Sequence, residues 1–300
     1  MKILITGGAG FIGSHLVDAC RERGDEVFVI DNLSTGQRSN LAHHNEVHFY
    51  EADICDRDTI VAIFDTVRPE IVFHLAAQIN VRASIQNPAH DVAVNVQGTL
   101  TILEAMKWVW CQRILFSSTG GAMFSGNTPP YNENHEAHPE TPYSISKRTV
   151  ELLLEFYERH YGIRSTALRY ANVYGPRQNA HGEAWVISIF LEKIHNNHTP
   201  TIYGDGSQTR DFIHVSDVVS ANIHALNEDL TGIYHVGTGR EMSVQSLWNH
   251  LAVMTGTSLV PEYVPALWEI QRTALDSHKL RATGWSPRVD VDELSLALLV

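Results

Sequence analysis

A tyrosine and a lysine near the middle of the chain have a spacing that could support proton transfer. Tyr143 and Lys147 lie four residues apart at the start of a helical pattern, so they share one face of that helix. An ammonium group beside a phenol favours the phenolate, which makes tyrosine a usable general base near neutral pH. Many helices contain this pattern by chance. It gains weight from Thr119, which follows a predicted strand, 113–118, in a run of hydroxyl residues.

The element that would position this pair begins at the N-terminus. An apolar run at 3–5 leads into a glycine loop, 7–13, then a helical pattern, and a second apolar run, 27–30, ends at Asp31. This order is the dinucleotide-binding pattern: a strand, a glycine turn, a helix, a second strand and an acidic residue. In that pattern the backbone of the turn and the N-terminus of the helix approach a pyrophosphate. Asp31 would accept hydrogen bonds from both adenosine ribose hydroxyls and repel a 2′-phosphate, so NAD is favoured over NADP. The alternative is that the glycines serve packing alone.

Other segments are predicted to surround the same cofactor. Asn32 follows the acid, and Asp53 follows a third strand, 47–50, where it could flank the adenine or cap the helix at 57–66. Small residues after a fourth strand, 71–75, would let the chain pass close to a dinucleotide. The predicted cofactor contacts are Gly7, Gly10, Phe11, Ile12, Asp31, Asn32, Asp53, Ile54, Leu75, Ala76, Ala77, Asn95, Tyr143, Lys147 and Tyr170.

The alternation of strands and helices up to residue 170 predicts an α/β fold with a Rossmann-like doubly wound parallel sheet. From residue 172 the segments become shorter, which indicates a smaller C-terminal lobe for the substrate. The expected domains are 1–171 for NAD, with returning segments near 211–236, and mainly 172–300 for the substrate. The two lobes are therefore expected to be interleaved in sequence.

Composition and charge narrow the class of protein. The 300 residues carry a formal net charge of −12, which argues against a nucleic-acid surface. Cys20, Cys55 and Cys111 are far apart in apolar segments, so we predict reduced core thiols in a cytoplasmic protein. No run reaches the ~18 apolar residues of a membrane span. The 17 histidines show no chelating spacing, so no metal is expected, and four of them are predicted to be solvated, namely His43, His44, His195 and His198.

Four motifs in the first half of the chain carry a family resemblance, and the match extends over nearly the whole chain. They are the loop from Thr6 to Gly13, His74-Leu75-Ala76-Ala77, the strand end Ser117-Ser118-Thr119, and Tyr143-Ser144-Ile145-Ser146-Lys147. Together they resemble the extended short-chain dehydrogenase/reductase family. The segments 169–177 and 204–212 narrow the resemblance to its nucleotide-sugar enzymes, and it is closest to the UDP-galactose (UDP-glucose) 4-epimerase-type members.

This resemblance implies tightly held NAD and a catalytic set of Thr119, Tyr143 and Lys147. It implies an epimerase that inverts C4 of a nucleotide sugar through a 4-keto intermediate. Tyr143 would take the proton of the 4-hydroxyl while a hydride passes to NAD, Thr119 would hydrogen-bond the same oxygen, and the hydride would return to the other face. The implied partners are a nucleotide-sugar substrate, most simply UDP-linked, and a second copy of the chain.

The resemblance also implies the substrate contacts. Asn172 and Arg210 would touch the diphosphate, since a guanidinium fork suits phosphate oxygens. The alternative for Arg210 is a salt bridge with Asp205 or Asp211.

Two departures from the family pattern concern the substrate. Phe124-Ser125 stands where the family usually has Tyr-Gly. Ala266 stands where many members have a second phosphate arginine, and Arg272 is the candidate substitute. Thr273 aligns with a pocket position at which tyrosine would exclude a C2 acetamido group, so UDP-N-acetylglucosamine is predicted to fit as well.

Two other interpretations remain open. A nucleotide-sugar 4,6-dehydratase or a decarboxylase is the first, although dehydratases need an acid and a base beside the strand-end threonine and here Gly120 and Gly121 follow it. A non-catalytic NAD-binding sensor is the second, although the chain keeps all three catalytic residue types.

A homodimer is predicted from two helices, 91–107 and 143–161, that carry apolar residues on more than one face. In the resembled family these helices pair into a four-helix bundle.

Overall fold

The computed structural model describes residues 1–42, 46–125, 128–178, 186–265 and 270–291. The predictions for His43, His44 and Ala266 lie outside these residues. The strands in chain order are β1 Lys2–Thr6, β2 Glu26–Asp31, β3 His48–Glu51, β4 Ile71–His74, β5 Arg113–Thr119, β6 Arg164–Tyr170, β7 Asn172–Tyr174, β8 Thr201–Tyr203, β9 Thr209–Arg210, β10 Phe212–His214, β11 Gly232–Val236, β12 Met242–Ser243 and β13 Glu262–Val264.

One of the two helices that were predicted to be long, 143–161, is present over Pro142–Tyr161. In chain order the helices are α1 Phe11–Glu22, α2 Arg57–Val67, α3 Val81–Gln86, α4 Pro88–Val92, α5 Thr99–Val109, α6 Pro142–Tyr161, α7 Val186–His195, α8 Val215–Asn227, α9 Val244–Thr255 and α10 His278–Arg281, with a 3₁₀ helix at Arg38–Leu41 and a π-helical stretch at Ala93–Gly98. The predicted regular helix at 91–107 is wrong in detail. Helical chain begins earlier, where the Asn87 side chain caps α4, and it passes through the π-helical stretch before α5.

Seven strands form the main sheet in the order β11-β6-β5-β4-β1-β2-β3. β1 is parallel to both of its neighbours, with Ile5 beside Val29 of β2 and Phe73 of β4. The chain fills one side of β1 with β2 and β3 and then crosses to β4 on the other side. The strand order therefore reverses between β1 and β4, which is where open α/β sheets bind ligands. The predicted Rossmann-like doubly wound sheet is confirmed.

The chain divides into two compact units. The first consists of Met1–Thr119, Pro139–Arg169 and Val219–Tyr234, and the second of Gly120–His138, Tyr170–Val218 and the chain from His235 onward. The apolar core of the first unit lies around β1, β4, β5 and the helices α2, α5 and α6, and that of the second around α7 and α9. The predicted lobes, 1–171 for NAD and 172–300 for the substrate, stay a prediction, because compactness does not say what each unit binds.

A buried arginine ties the returning segment, Val219–Tyr234, into the first unit. Arg113, at the start of β5, donates to the Thr166 hydroxyl at 2.8 Å and to the Leu230 carbonyl at 2.6 Å. Its Nε lies 3.5 Å from Asp229. Burial lowers the pKa of this guanidinium, and Asp229 opposes that shift. The returning segment thus supplies oxygen atoms that a buried cation requires.

The burial of the cysteines and histidines can be compared with what the sequence predicted. Cys20 and Cys111 are buried, but Cys55 is exposed, so the prediction of three core thiols is wrong for Cys55. It lies in the turn before α2, where its neighbour Ile54 is the buried residue. His195 and His198 are exposed, as predicted.

Two kinds of feature are absent from the described ranges. No helix there is long and apolar enough to cross a bilayer. No group of three or more His, Cys, Asp and Glu residues within those ranges is placed to hold a metal ion.

Candidate active site

The glycine loop joins β1 to α1 and leaves almost no room for side chains. Gly7 has a φ of +71°, and a Cβ there would lie 2.7 Å from the Ala76 nitrogen. A Cβ on Gly13 would lie 2.1 Å from the Gly7 oxygen, so α1 packs directly on the turn. Gly10 precedes the helix, and no side chain among the described residues caps this end. The N–H groups of the first turn, at Phe11 and Ile12, are those that an anion binds in this arrangement.

Asp31 ends β2 beside this loop and is fixed by two main-chain amides. Its carboxylate accepts hydrogen bonds from the nitrogens of Ala9 at 2.9 Å and Leu33 at 2.8 Å. Burial raises the pKa of the Asp31 carboxyl group, and these N–H donors lower it. A carboxylate accepts about four hydrogen bonds, so Asp31 keeps acceptor capacity that suits two ribose hydroxyls.

Asn32 and Asp53 contact each other, and their predicted contacts with the cofactor stay a prediction. The Asn32 amide donates to Asp53 Oδ2 at 2.9 Å, and Asp53 Oδ1 accepts from the Cys55 nitrogen at 2.8 Å. The cap of α2 is instead Asp56, whose side chain accepts from the Thr59 nitrogen. The alternative role of Asp53 as a helix cap is therefore excluded.

Behind the loop, His74 at the end of β4 is held between two threonine hydroxyls. Its Nδ1 lies 2.7 Å from Thr6 Oγ1 and its Nε2 lies 2.8 Å from Thr99 Oγ1. Thr99 donates to the Asn95 carbonyl and Thr6 accepts from the Ala76 nitrogen, so this pattern places the ring proton on Nε2. Burial lowers the pKa of His74 to about 3, and the ring is neutral. The exit of the chain from β4 at Leu75, Ala76 and Ala77 is fixed in this way.

Asn95, in the π-helical stretch, holds the same exit from the other side. Its Oδ1 accepts from the Gln78 nitrogen at 2.8 Å, and its Nδ2 donates to the Gln78 oxygen at 2.9 Å and to Asp91 at 3.1 Å. Asp91 is buried and also accepts from the Ser146 hydroxyl. Sequence analysis gave no role to Gln78, which lies in the segment after β4, or to Asp91. For Asp91 the available signal was a polar residue on a buried helix face. The predicted contact of Asn95 with the cofactor stays a prediction.

Tyr143 and Lys147 lie on the first two turns of α6. Thr141 and Ser144 form a reciprocal cap that fixes the start of this helix. Tyr143 is half-buried and Lys147 is buried. The ammonium nitrogen of Lys147 lies 5.9 Å from the centre of the Tyr143 ring.

The same lysine reaches the end of β5. Its Nζ donates to the carbonyl oxygen of Ser117 at 2.8 Å, two residues before Thr119. Burial lowers the pKa of Lys147 to about 8, and the carboxylates of Asp91 and Glu151 oppose that shift. The structure therefore places the three predicted catalytic residues at the end of β5 and the start of α6, all within the first unit.

The predicted substrate residues belong to the second unit, as does Tyr170, whose carbonyl accepts from the Gly120 nitrogen. Asn172 begins β7, and its buried Oδ1 has no hydrogen-bond partner in the described part of the chain. Arg210, in β9, donates from Nη1 to the Thr209 carbonyl at 2.8 Å. Thr273 is buried.

Arg272 is engaged with an acid. It forms a two-pronged ion pair with Glu241, with Nη2 to Oε1 at 2.6 Å and Nε to Oε2 at 2.9 Å. The Thr209 hydroxyl donates to the same carboxylate. A phosphate role for Arg272 would therefore require it to exchange Glu241 for the phosphate.

Asp211, an alternative partner of Arg210, serves the main chain of the second unit. Its carboxylate accepts from the nitrogens of Thr238, Gly239 and Leu275 at 3.0, 3.0 and 3.1 Å, and from the Thr238 hydroxyl at 2.5 Å. Burial raises the pKa of Asp211, and these four donors lower it. Asp205, the other alternative, accepts from the Ser207 nitrogen.

Phe124, where the family usually has tyrosine, stacks on a tyrosine from another segment. The rings of Phe124 and Tyr131 lie 4.8 Å apart at 13°. The Tyr131 hydroxyl is buried without a hydrogen-bond partner among the described residues. Sequence analysis gave no sign of this pair, because Tyr131 lies in a segment patterned as a loop.

A doubly wound sheet with a glycine turn at its switch point and a Tyr–Lys pair on a following helix defines a dinucleotide-dependent enzyme of the short-chain dehydrogenase/reductase class. The chain belongs to the NAD dependent epimerase/dehydratase family, whose model matches residues 3–237. The resemblance to the extended members of that class is confirmed.

Individual relatives cover almost the whole chain. A putative UDP-glucose 4-epimerase of Methanocaldococcus jannaschii is 45% identical over 296 residues, which are 97% of this chain and 95% of the relative. The structure of Thermotoga maritima UDP-glucose 4-epimerase with UDP-glucose has a TM-score of 0.94 and 43% identity, over 99% of this chain and 97% of the other. The Thermus thermophilus UDP-glucose 4-epimerase complex with NAD has a TM-score of 0.93 and 39% identity, with coverage of 99% and 97%.

Proposed function

We propose that this chain is an NAD-dependent nucleotide-sugar 4-epimerase that interconverts UDP-glucose and UDP-galactose. The observation that carries the proposal is the buried ammonium of Lys147, held at the end of β5 one helical turn from Tyr143 and two strand residues from Thr119. The relatives named above, which include complexes with UDP-glucose and with NAD, support the same activity.

The described residues fit NAD. The turn at Gly7 and Gly13 excludes side chains where a pyrophosphate would approach α1, and Asp31 retains acceptor capacity beside it. The remaining predicted contacts, from Asn32 to Tyr170, complete the proposed site. When bound, NAD supplies the acceptor and then the donor of the hydride that leaves and returns to sugar C4.

The protein's own residues would handle the proton. Tyr143 accepts the proton of the 4-hydroxyl as hydride leaves C4 and returns it later. The charge of Lys147 favours the phenolate form of Tyr143 that this step requires. Thr119 hydrogen-bonds the same sugar oxygen and so orients it toward the phenol.

For the substrate we propose contacts from the second unit. The buried Oδ1 of Asn172 has no hydrogen-bond partner among the described residues. With the amide turned so that its NH₂ group takes this position, Asn172 would donate to a diphosphate oxygen. Arg210 offers the guanidinium fork that suits phosphate. We propose Arg272 as a further phosphate contact and Thr273 as the residue that admits a C2 acetamido group, so that UDP-N-acetylglucosamine is also a substrate.

The experiment that tests the proposal incubates the protein with UDP-, dTDP- and GDP-sugars and identifies products by NMR. We expect a C4 epimer from UDP-glucose without net consumption of added NAD. Tyr143→Phe is the control for contaminating activity. A 4-keto-6-deoxy product would show a dehydratase instead, a pentose nucleotide would show a decarboxylase, and no turnover would favour the sensor interpretation.

We also propose a cytoplasmic homodimer. On α6, Ile145, Leu152 and Phe156 share one face by their spacing and are 48, 49 and 41% exposed. Burial of this face in a second copy would remove it from water, and the free thiols of Cys20 and Cys111 are consistent with a reducing compartment. Light scattering at micromolar concentration should give twice the chain mass. Leu152→Glu should give a monomer, whereas Val253→Glu on α9 should not.

A further inference from the structure

We infer that Glu151 is a positioning residue for the reaction, because it fixes the end of β5, which carries Thr119, against the face of α6 that carries Tyr143 and Lys147. The inference rests on the proposed function, since it concerns the same site. The sequence pattern gave Glu151 no role, and a helix carboxylate four residues after a lysine is usually a solvated surface charge.

The contacts of Glu151 are those of a fully enclosed junction. Its side chain has 0% exposure. Oε1 accepts from the Ser118 hydroxyl at 2.7 Å and from Arg169 Nε at 2.8 Å. Oε2 accepts from Arg169 Nη2 at 2.7 Å and from Arg148 Nη1 at 3.0 Å. One carboxylate therefore joins α6 to the end of β5 and to β6 at the same time.

The position of Glu151 on the helix gives these contacts their meaning. Residues 143, 147 and 151 follow at intervals of four and share one face of α6. Lys147 bonds the main chain of Ser117, and Glu151 bonds the side chain of Ser118. Two successive helical turns thus hold two successive strand residues, and Thr119 is the next residue of that strand. Because catalysis depends on sub-ångström alignment of reacting groups, loosening this junction should slow the chemical step.

The charge of Glu151 also acts on Lys147. Among the described residues, the titratable and charged groups that face Lys147 are His74 from β4, Asp91 from α4, and Tyr143 and Glu151 from α6. His74 is neutral, so the two carboxylates are the groups that oppose the effect of burial on the lysine pKa. Removing one of them should lower that pKa further, so that the ammonium is lost at a lower pH.

The test compares Glu151→Gln with two other variants. Ser118→Ala removes one hydrogen bond of the junction and leaves the Glu151–Arg169 ion pair intact. Glu104→Gln is the matched control, because Glu104 joins α5 to Tyr157 of α6 at 2.6 Å by a contact that does not involve β5. For each variant we would measure kcat, KM, melting temperature, NAD affinity and the pH dependence of kcat.

We expect Glu151→Gln to lower kcat about ten- to a hundredfold with KM and NAD affinity nearly unchanged. The alkaline fall of kcat should move about one pH unit lower. Ser118→Ala should lower kcat several-fold without moving the pH profile, and Glu104→Gln should change neither. If Glu151→Gln leaves Arg169 too poorly compensated to fold, Ser118→Ala decides the question.

The pKa of Lys147, followed by NMR of labelled lysine, separates this inference from the proposed function. A wild-type protein without epimerase activity would contradict the proposed function, yet a lower Lys147 pKa in Glu151→Gln would still support the junction. A variant set in which only the melting temperature falls, with kcat, pH profile and Lys147 pKa unchanged, would overturn the inference.

Discussion

Two buried aspartates accept main-chain hydrogen bonds but serve different purposes: Asp31 is the last residue of β2, and Asp211 lies directly before β10. Burial raises the pKa of both, and main-chain N–H donors lower it in each case. Asp31 accepts from two amides, whereas Asp211 accepts from three amides and a hydroxyl. About four acceptor sites are available on a carboxylate, so Asp31 has capacity left and Asp211 has none.

The difference teaches how to separate a binding carboxylate from a structural one. The residue type, the burial and the place at a strand terminus are shared, and only the number of protein donors differs. Asp211 fastens the turn at Thr238 and Gly239 and the segment at Leu275 to β10. Asp31 fastens only its own loop to Ala9 and can still bind a ligand.

The largest expected effect tests the structural side of this comparison. Asp211→Ala would remove the acceptor of three main-chain N–H groups, of which that of Leu275 is buried and those of Thr238 and Gly239 are partly buried. The free energy of unfolding should therefore fall by about 3–5 kcal/mol. The melting temperature should then fall by roughly 10 °C. Asp31→Ala is the matched control and should lose clearly less. Equal losses in the two variants would break the comparison.

Tyr143→Phe should separate catalysis from stability in the first unit, which also contains Asp31. Turnover of UDP-glucose should fall by at least about 10²-fold, the scale for losing a positioned general base. The melting temperature and NAD binding should stay at the wild-type values, since the substitution removes a single hydroxyl from a half-buried ring. Retained activity would place the base elsewhere.

Thr273→Tyr tests whether the second unit, which contains Asp211, also determines which sugar is accepted. If Thr273 admits the acetamido group, tyrosine should lower the rate ratio of UDP-N-acetylglucosamine to UDP-glucose by about ten- to a hundredfold. Because Thr273 is buried, we also expect a stability loss of about 1–3 kcal/mol. Epimerisation assays with both sugars measure the ratio, and a melting curve measures the loss. An unchanged ratio would limit this position to packing.

The smallest effect concerns the spare capacity of Asp31. Wild-type protein should prefer NAD to NADP, and Asp31→Ala should narrow the difference in affinity by about tenfold, the scale of one or two lost hydrogen bonds. Isothermal titration with both dinucleotides measures it. Comparable wild-type affinity for NADP would contradict the ribose-binding role.

Local sequence was sufficient for the features that depend on neighbours in the chain. The glycine spacing, the apolar runs of β1, β2 and β4 and the Pro-Tyr start of α6 predicted the sheet and the placement of Tyr143 beside Lys147. The π-helical stretch and the exposure of Cys55 were not predictable from the sequence. In both places the local pattern is regular, and tertiary packing determines the departure from it. Glu151 is the clearest case. Glu151 lies on α6, and its partner Arg169 comes 18 residues later on β6, so no local sequence pattern links the two residues.

The contacts of Arg113 have a consequence for synthesis on the ribosome. When residues 1–171 have emerged, β5 and β6 are complete, but the carbonyl of Leu230 and the carboxylate of Asp229 have not yet been made. Synthesis proceeds at about 5–20 residues per second. For several seconds, therefore, Arg113 is present in the nascent chain without these two oxygen partners. Because Val219–Tyr234 belongs to the first unit, we expect ribosome-bound chains to become resistant to protease only after this segment has left the exit tunnel.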